Sequence, residues 1–306
     1  MYKSVLITGA NGGLGKESAR QLAQNAEVNR IILACRSESK ANEAKQELEK
    51  ETGRSIFEIA LMDFSDADSV RQGVKSIKGS VDALILNAGG MGGKDPGAKS
   101  KSGMNMIAAA NIIGHAALIE ALVEQGAQIK RVVYVSSEAA RGVPSVGMKK
   151  PELKSFSVDE FKSILEGGFF GSKLDPGQAY GYVKLVGTLW TSALSRKFPE
   201  IEFVSVSPGA TKGTAVADNA PPLIKFMFKY VMYPIILPLK GMVHGVEKGA
   251  ARYVQALQDP TLKSGKFYAS KEGKLTGELV EQSPFFPALA EPTFQENAYQ
   301  AVQSYL

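Results

Sequence analysis

Ser4-Val5-Leu6-Ile7-Thr8-Gly9-Ala10-Asn11-Gly12-Gly13-Leu14-Gly15 is the stretch from which the rest of this 306-residue chain can be read. An apolar run of strand length passes straight into a turn holding Gly9, Gly13 and Gly15, and an amphipathic stretch follows over 15–24. Glycine admits the tight turn and lets backbone approach a diphosphate closely. The start of a helix adds N–H groups without intrahelical partners at the positive end of the dipole. Strand, glycine turn and helix in this order predict a cradle for a dinucleotide. The spacing is Gly-x-x-x-Gly-x-Gly rather than Gly-x-Gly-x-x-Gly, so the flanking elements carry the reading as much as the glycines do.

Outward from this stretch, short apolar runs alternate with longer amphipathic ones. Strands are expected at 4–8, 30–34, 55–61, 83–86, 131–136 and 202–207, and helices at 15–24, 39–51, 66–77, 104–125 and 178–197. Such alternation predicts βαβ units, and the unbroken apolar strands indicate a sheet covered on both sides. The fold class is therefore α/β: one doubly wound parallel sheet with helices on both faces, in a single domain over 1–306. Three segments break the rhythm: 89–103, an insertion at 141–177, and 210–245. Ligands of open α/β sheets bind beyond the carboxyl ends of the strands, so these segments are expected to wall a substrate site. Within the insertion, Ser157-Val158-Asp159-Glu160 is a capping-box pattern that predicts a short helix.

Composition narrows the function classes. Hydrophobic residues make up 44% of the chain, enough for a sizeable core. The one cysteine, Cys35, excludes an intrachain disulfide framework and fits a reducing, cytoplasmic setting. Two histidines, His115 and His244, leave little material for a zinc site, and no metal is expected. The net charge of +5 is scattered, which reads as a solvated surface and not as a nucleic-acid footprint. The first apolar stretch, 5–7, reads as a strand followed by glycines rather than as a leader. The apolar stretch 223–239 holds Lys225 and Lys229 and is broken by Pro234 and Pro238. It reads as a lid with an apolar face, and peripheral membrane contact through it is the alternative.

The tip of the second strand chooses between cofactors. An NAD-binding unit places an acid there for the ribose hydroxyls; here the sequence is Leu33-Ala34-Cys35-Arg36-Ser37. A guanidinium binds a 2′-phosphate with paired donors, and a carboxylate would repel it. Arg36 thus favours NADP(H).

Tyr180 and Lys184 stand four residues apart on the helix that follows the strand ending Val135-Ser136-Ser137. Residues four apart share a helix face. Hydride transfer to a carbonyl needs a proton donor for the developing alkoxide. A free phenol has a pKa of about 10, and a neighbouring ammonium favours the phenolate. A hydroxyl from Ser136 or Ser137 can hold the substrate oxygen. Tyr182, about 200° further round the helix, is expected to face elsewhere.

These residues together resemble the short-chain dehydrogenase/reductase family over nearly the whole chain. Thr8-Gly9-x-x-x-Gly13-x-Gly15 resembles its cofactor motif, with Asn11 and Leu14 inside it. Asp63, beside Phe64, is similar to its adenine-contacting aspartate. Asn87-Ala88-Gly89 resembles its Asn-Asn-Ala-Gly motif, with Leu86 at the first position. The resemblance implies Ser137, Tyr180 and Lys184 as the catalytic set, Lys184 also bonding the nicotinamide ribose. Asn111 is implied as the anchor of a proton-relay water. Pro208-Gly209 resembles the motif beside the nicotinamide. The family's threonine five residues after that proline is replaced by Gly213, so Thr211 or Thr214 is left to serve.

Within the family, Ala34-Cys35-Arg36, Gly114-His115, the long stretch from Ser137 to Tyr180 and the apolar segment before Gly245 resemble the retinol dehydrogenase and light-dependent protochlorophyllide reductase branch. The expectation is an NADPH-dependent reductase of a ketone or aldehyde, or the reverse alcohol dehydrogenase. Phe156, Phe161, Phe169, Phe170, Phe226 and Phe228 in the irregular segments point to a bulky apolar substrate. Two other readings stand beside it: a protochlorophyllide-reductase-like reduction of a double bond, and a non-catalytic NADPH-binding sensor or scaffold. Monomer and homodimer are both left open.

Overall fold

The computed structural model describes residues 2–93, 95–172, 174–212 and 242–306. Thr214, Phe226, Phe228 and the apolar stretch 223–239 lie outside the described residues. β1 (Ser4–Thr8) is buried along its whole length. It pairs in parallel with β2 (Arg30–Cys35) on one side and β4 (Ala83–Leu86) on the other. The full order is β3-β2-β1-β4-β5-β6-β7-β8, with β3 at Phe57–Leu61, β5 at Arg131–Val135, β6 at Glu202–Val206, β7 at Lys266–Ala269 and β8 at Val280–Glu281. Only β8 runs antiparallel to its neighbour. The winding direction reverses between β1 and β4, which opens a crevice at their carboxyl ends.

Alternate residues of each strand serve opposite layers, as the period of two requires. Val5, Ile7, Ile31 and Leu33 pack with Ala19 and Leu22 of α1 (Gly13–Leu22) and with Tyr253 and Leu257 of α7 (Val246–Gln258). The α2 helix (Glu38–Thr52) adds Ala41 and Leu48 to that layer. On the other face, Leu6, Ile32, Leu84 and Val132 meet α3 (Ala67–Ser76), α4 (Met106–Glu124) and α6 (Pro176–Lys197). The α4 helix is long and apolar enough to cross a membrane, but it is largely buried inside the fold and forms the core of this layer. A π-helical turn over Ala109–Ile113 interrupts it.

The insertion carries α5 (Val158–Glu166), where the capping pattern placed it. Ser157 accepts from the Glu160 N–H at 3.2 Å. Glu160 reaches further back than a reciprocal box would, accepting from the backbone of Lys154, Ser155 and Phe156 at 2.8, 2.9 and 2.8 Å. Beyond residue 245 the sequence reading assigned no elements. The structure adds α7, the short strands β7 and β8, and α8 (Pro292–Gln303), which packs on α5 and α6.

Inside the sheet, Tyr134 is fully buried, edge-on to Trp190 and His115. Its hydroxyl has no hydrogen-bond partner among the described residues. Removing an unsatisfied buried polar atom relieves its desolvation cost, so Tyr134→Phe is expected to raise stability by about 1 kcal/mol. Denaturant unfolding reads this as a higher midpoint at unchanged slope.

Candidate active site

The glycine loop leaves β1 at Gly9, whose N–H bonds to the Ala34 carbonyl at 2.8 Å. Gly9 and Gly13 have φ of +66° and +53°, the left-handed region that favours glycine. A Cβ on Gly15 would stand 2.5 Å from the Gly9 carbonyl oxygen and 2.6 Å from Asn87 Nδ2, so only glycine lets α1 approach β1 this closely. Gly12 and Gly13 are exposed and open toward the cleft. The N-terminus of α1 has no side-chain cap and no acid in its first turn. Its free N–H groups are therefore available to an anion, and the cradle fits the diphosphate of a dinucleotide.

At one end of the cleft lie Arg36, Asp63 and Phe64. Arg36 is 76% exposed in its side chain and sits 3.6 Å from Asp63. Asp63 also closes its own turn, accepting from the Ser65 N–H and hydroxyl at 2.9 and 2.7 Å. Phe64 is buried against His115.

At the crevice itself, Asn87 donates to the Thr8 and Gly9 carbonyls at 2.8 and 3.3 Å, tying β4 to the glycine loop. Thr8 Oγ1 accepts from the Ala88 N–H at 2.8 Å and meets His115 Nε2 at 3.0 Å. The other nitrogen of His115 bonds the Asn111 carbonyl at 3.1 Å. Burial first, and then the Lys184 charge, press the His115 pKa down to about 3, so the ring is a neutral strut between the loop and the π turn. Asn111 is fully buried. Its amide donates to the Gly90 and Ile107 carbonyls, each at 2.7 Å, and its oxygen accepts from the Gly90 N–H at 3.3 Å. It stands behind Gly89 and Gly90, and Ala110 lines the cleft at that point instead.

Both candidate serines border the cleft, and they differ in burial and in partner. Ser136 is buried and paired with Thr188 at 2.6 Å. Ser137 lines the cleft and caps the short turn after β5, accepting from the Ala139 N–H at 3.2 Å. Asp175 starts α6 by accepting from the Gln178 N–H at 2.6 Å, with Pro176 in the first turn. This sets Tyr180 and Lys184 on the cleft wall. Lys184 donates to the Val135 carbonyl at 2.7 Å, and its nitrogen lies 5.5 Å from the Tyr180 ring centroid and 5.1 Å from that of Tyr134. Tyr182 faces away, its hydroxyl bonded to the backbone of Glu152 at 3.0 and 3.2 Å, and so pins the insertion to α6.

Burial presses the pKa of Lys184 down to about 7. In the unfolded chain the same amine keeps its proton to about pH 10.4. Between these values the unfolded state binds the extra proton, so this group makes stability rise with pH from about 7 to about 10. Lys184→Met should flatten that slope, a difference of a few kcal/mol across the window. Thermal unfolding of both proteins over this pH range measures it.

After β6, Gly209 and Thr211 line the cleft with Pro208. Thr211 is buried, with Oγ1 3.2 Å from the Gly209 carbonyl. His244 donates to the Pro208 carbonyl at 2.7 Å. Behind this wall lies a charged group that the sequence reading missed. Glu138, next to Ser137, pairs with Arg252 of α7 at 3.5 Å, both almost fully buried. A glutamate directly after Val135-Ser136-Ser137 was the only signal in the sequence.

The cleft holds ≈ 1570 Å³ and runs from Arg36 past the glycine loop to Ser137 and Tyr180. Beyond them it is walled by Met91, Met106, Val146, Met148 and Lys149, from segments 89–103 and 141–177 and from α4. The insertion's phenylalanines are not among the described residues that wall it. Phe156 stacks on Phe294 of α8 at 4.2 Å with Phe161 edge-on, and Phe169 and Phe170 pack against Tyr182. They hold the insertion to the body, because α8 supplies an apolar surface that the sequence reading had not assigned.

Residues 3–149 match the model of the short chain dehydrogenase family. Protochlorophyllide reductase of Pisum sativum is 30% identical over 310 residues, covering 91% of this chain and 74% of that one. Human retinol dehydrogenase 11 is 29% identical over 246 residues, covering 78% and 70%. Among solved structures, L-sorbose reductase from Gluconobacter frateurii superposes with a TM-score of 0.63 at 17% identity, over 90% of this chain and 97% of that one. The chain belongs to the short-chain dehydrogenase/reductase family, in the branch of the retinol dehydrogenases and protochlorophyllide reductases. That membership makes it a nicotinamide-dependent oxidoreductase.

Proposed function

We propose that the chain is an NADPH-dependent reductase of a ketone or aldehyde, or the dehydrogenase of the corresponding alcohol, acting on a bulky and largely apolar substrate. The observation that carries this reading is the convergence of Ser137, Tyr180 and Lys184 on one wall of the cleft, with Arg36 at its far end. When bound, the nicotinamide supplies the hydride. Ser137 holds the carbonyl oxygen through its hydroxyl. Tyr180 gives its phenolic proton to the developing alkoxide, and the Lys184 ammonium stabilises the phenolate left behind. Asn111 enters by fixing Gly89 and Gly90, whose backbone borders the site. Arg36 selects the 2′-phosphate because it is the exposed cation at the tip of β2. The apolar substrate follows from Met91, Met106, Val146 and Met148 beyond the reacting groups.

A second reading, reduction of a carbon–carbon double bond, is favoured by coverage: the match to protochlorophyllide reductase spans 91% of the chain. Against it, the single cysteine is buried in β2 and is not a proton donor at the reaction centre. A panel of apolar ketones, aldehydes and conjugated alkenes, assayed with NADPH and with NADH, tests the proposal. Consumption of NADPH on carbonyls supports it. Consumption on alkenes alone, or a preference for NADH, overturns it.

A further inference from the structure

Ser137 and Gly209 both line the cleft, and they reach it from different strands, β5 and β6. Buried groups behind them join the two. One oxygen of Glu138 accepts a hydrogen bond from the Ser207 hydroxyl. The other accepts from the Ser270 hydroxyl at 3.0 Å and faces Arg252 at 3.5 Å. The Ser207 oxygen in turn accepts from the Gly209 N–H at 3.2 Å. Arg252 donates to the Ser207 carbonyl at 3.2 Å, the Ser270 hydroxyl at 3.0 Å and the Gly277 carbonyl at 2.6 Å. Glu138, Arg252, Ser207 and Ser270 are each at most 5% exposed.

Such an arrangement costs desolvation, and an apolar cluster would fill the space more cheaply. What it provides is direction. Gly209 has φ +75°, and a Cβ there would stand 2.5 Å from the Leu275 carbonyl oxygen and 2.9 Å from Arg252 Nη1. The turn therefore has one tight seat, and the ion pair with Ser207 defines it.

We infer that Glu138 and Arg252 form a positioning pair that locks the Pro208–Gly209 wall to the Ser137 loop and thereby fixes the nicotinamide half of the cofactor against the substrate oxygen. This rests on the proposed cofactor reading. Glu138 and Arg252 act through Ser207 and Gly209, with no contact to the reacting atoms required. The adenine half, held at Arg36 and Asp63, is outside their reach.

Two nucleotides separate the halves. NADPH fills both ends of the cleft, whereas 2′,5′-ADP carries only the adenosine with its 2′- and 5′-phosphates and lacks the nicotinamide half. In Glu138→Gln, NADPH affinity should fall about tenfold, the scale of a lost charged hydrogen bond, with 2′,5′-ADP affinity unchanged. Ser207→Ala keeps both charges of the ion pair and removes the hydroxyl that joins Glu138 to the Gly209 N–H, so it serves if Glu138→Gln does not fold. It should weaken NADPH by about threefold to tenfold and leave 2′,5′-ADP alone. Calorimetric titration of wild type and both variants reads this without turnover. Equal loss of both nucleotides, or no loss of either in Ser207→Ala, overturns the inference while the cofactor reading stands. Wild type that binds neither nucleotide overturns the cofactor reading and the inference with it.

Discussion

Tyr180→Phe should lower kcat for carbonyl reduction by about 10²–10⁴-fold, the range that general acid catalysis contributes. NADPH binding should be unchanged. The substitution removes one oxygen and keeps the ring, which is half-buried and lies 5.5 Å from the Lys184 nitrogen. The fold loses little: Asp175 still caps α6, and Lys184 still bonds the Val135 carbonyl. What disappears is the proton for the developing alkoxide. Single-turnover kinetics with saturating NADPH would place the loss in the chemical step. Turnover near that of wild type would remove Tyr180 from the mechanism.

Arg36→Glu should raise the dissociation constant for NADPH by about 100-fold and leave that for NADH nearly unaltered, because charged hydrogen bonds are replaced by repulsion. The side chain is 76% exposed, so its pairing with Asp63 at 3.6 Å contributes little to stability. The new acid would stand beside Asp63 and add a second negative charge to that end of the cleft. Fluorescence titration with the two reduced cofactors makes the comparison. An equal effect on both would mean that Arg36 serves the cleft generally and does not select the phosphate.

The parts of the site that could be read in the sequence are those set by local spacing. The glycine turn and the interval from Tyr180 to Lys184 each lie within one turn or one element, where geometry follows from the period of the helix or strand. Tyr182 is the sharpest instance: its place on the opposite face follows from two residues of helix, and the structure puts its hydroxyl on Glu152. The cluster around Glu138 has no such period. Ser207, Arg252 and Ser270 come from separate elements and meet only because β5, β6 and β7 are neighbours in the sheet. β7 and β8 are too short to leave an alternating pattern. The phenylalanines of the insertion misled for a related reason. Their bulk marks apolar contact, but the contact is with α8 and Tyr182, and the insertion lines the cleft through Val146 and Met148 instead, with Met91 and Met106 from other segments. For the two serines, the family resemblance points to Ser137, and the structure adds the reason: Ser136 is buried and bonded to Thr188, whereas Ser137 is partly exposed at the turn after β5.

The proposed function rests on one step, the passage of hydride from NADPH to a carbonyl carbon beside Tyr180. Its most direct test uses NADPH carrying deuterium at the transferable position, with the best carbonyl found in the panel, and analysis of the product by mass spectrometry and NMR. Deuterium is expected on the carbinol carbon, with the label transferred at least a hundredfold more slowly, on the order of the general-acid contribution, in Tyr180→Phe. Label on a carbon–carbon bond, or NADPH that binds tightly and keeps its deuterium with every carbonyl offered, would contradict it.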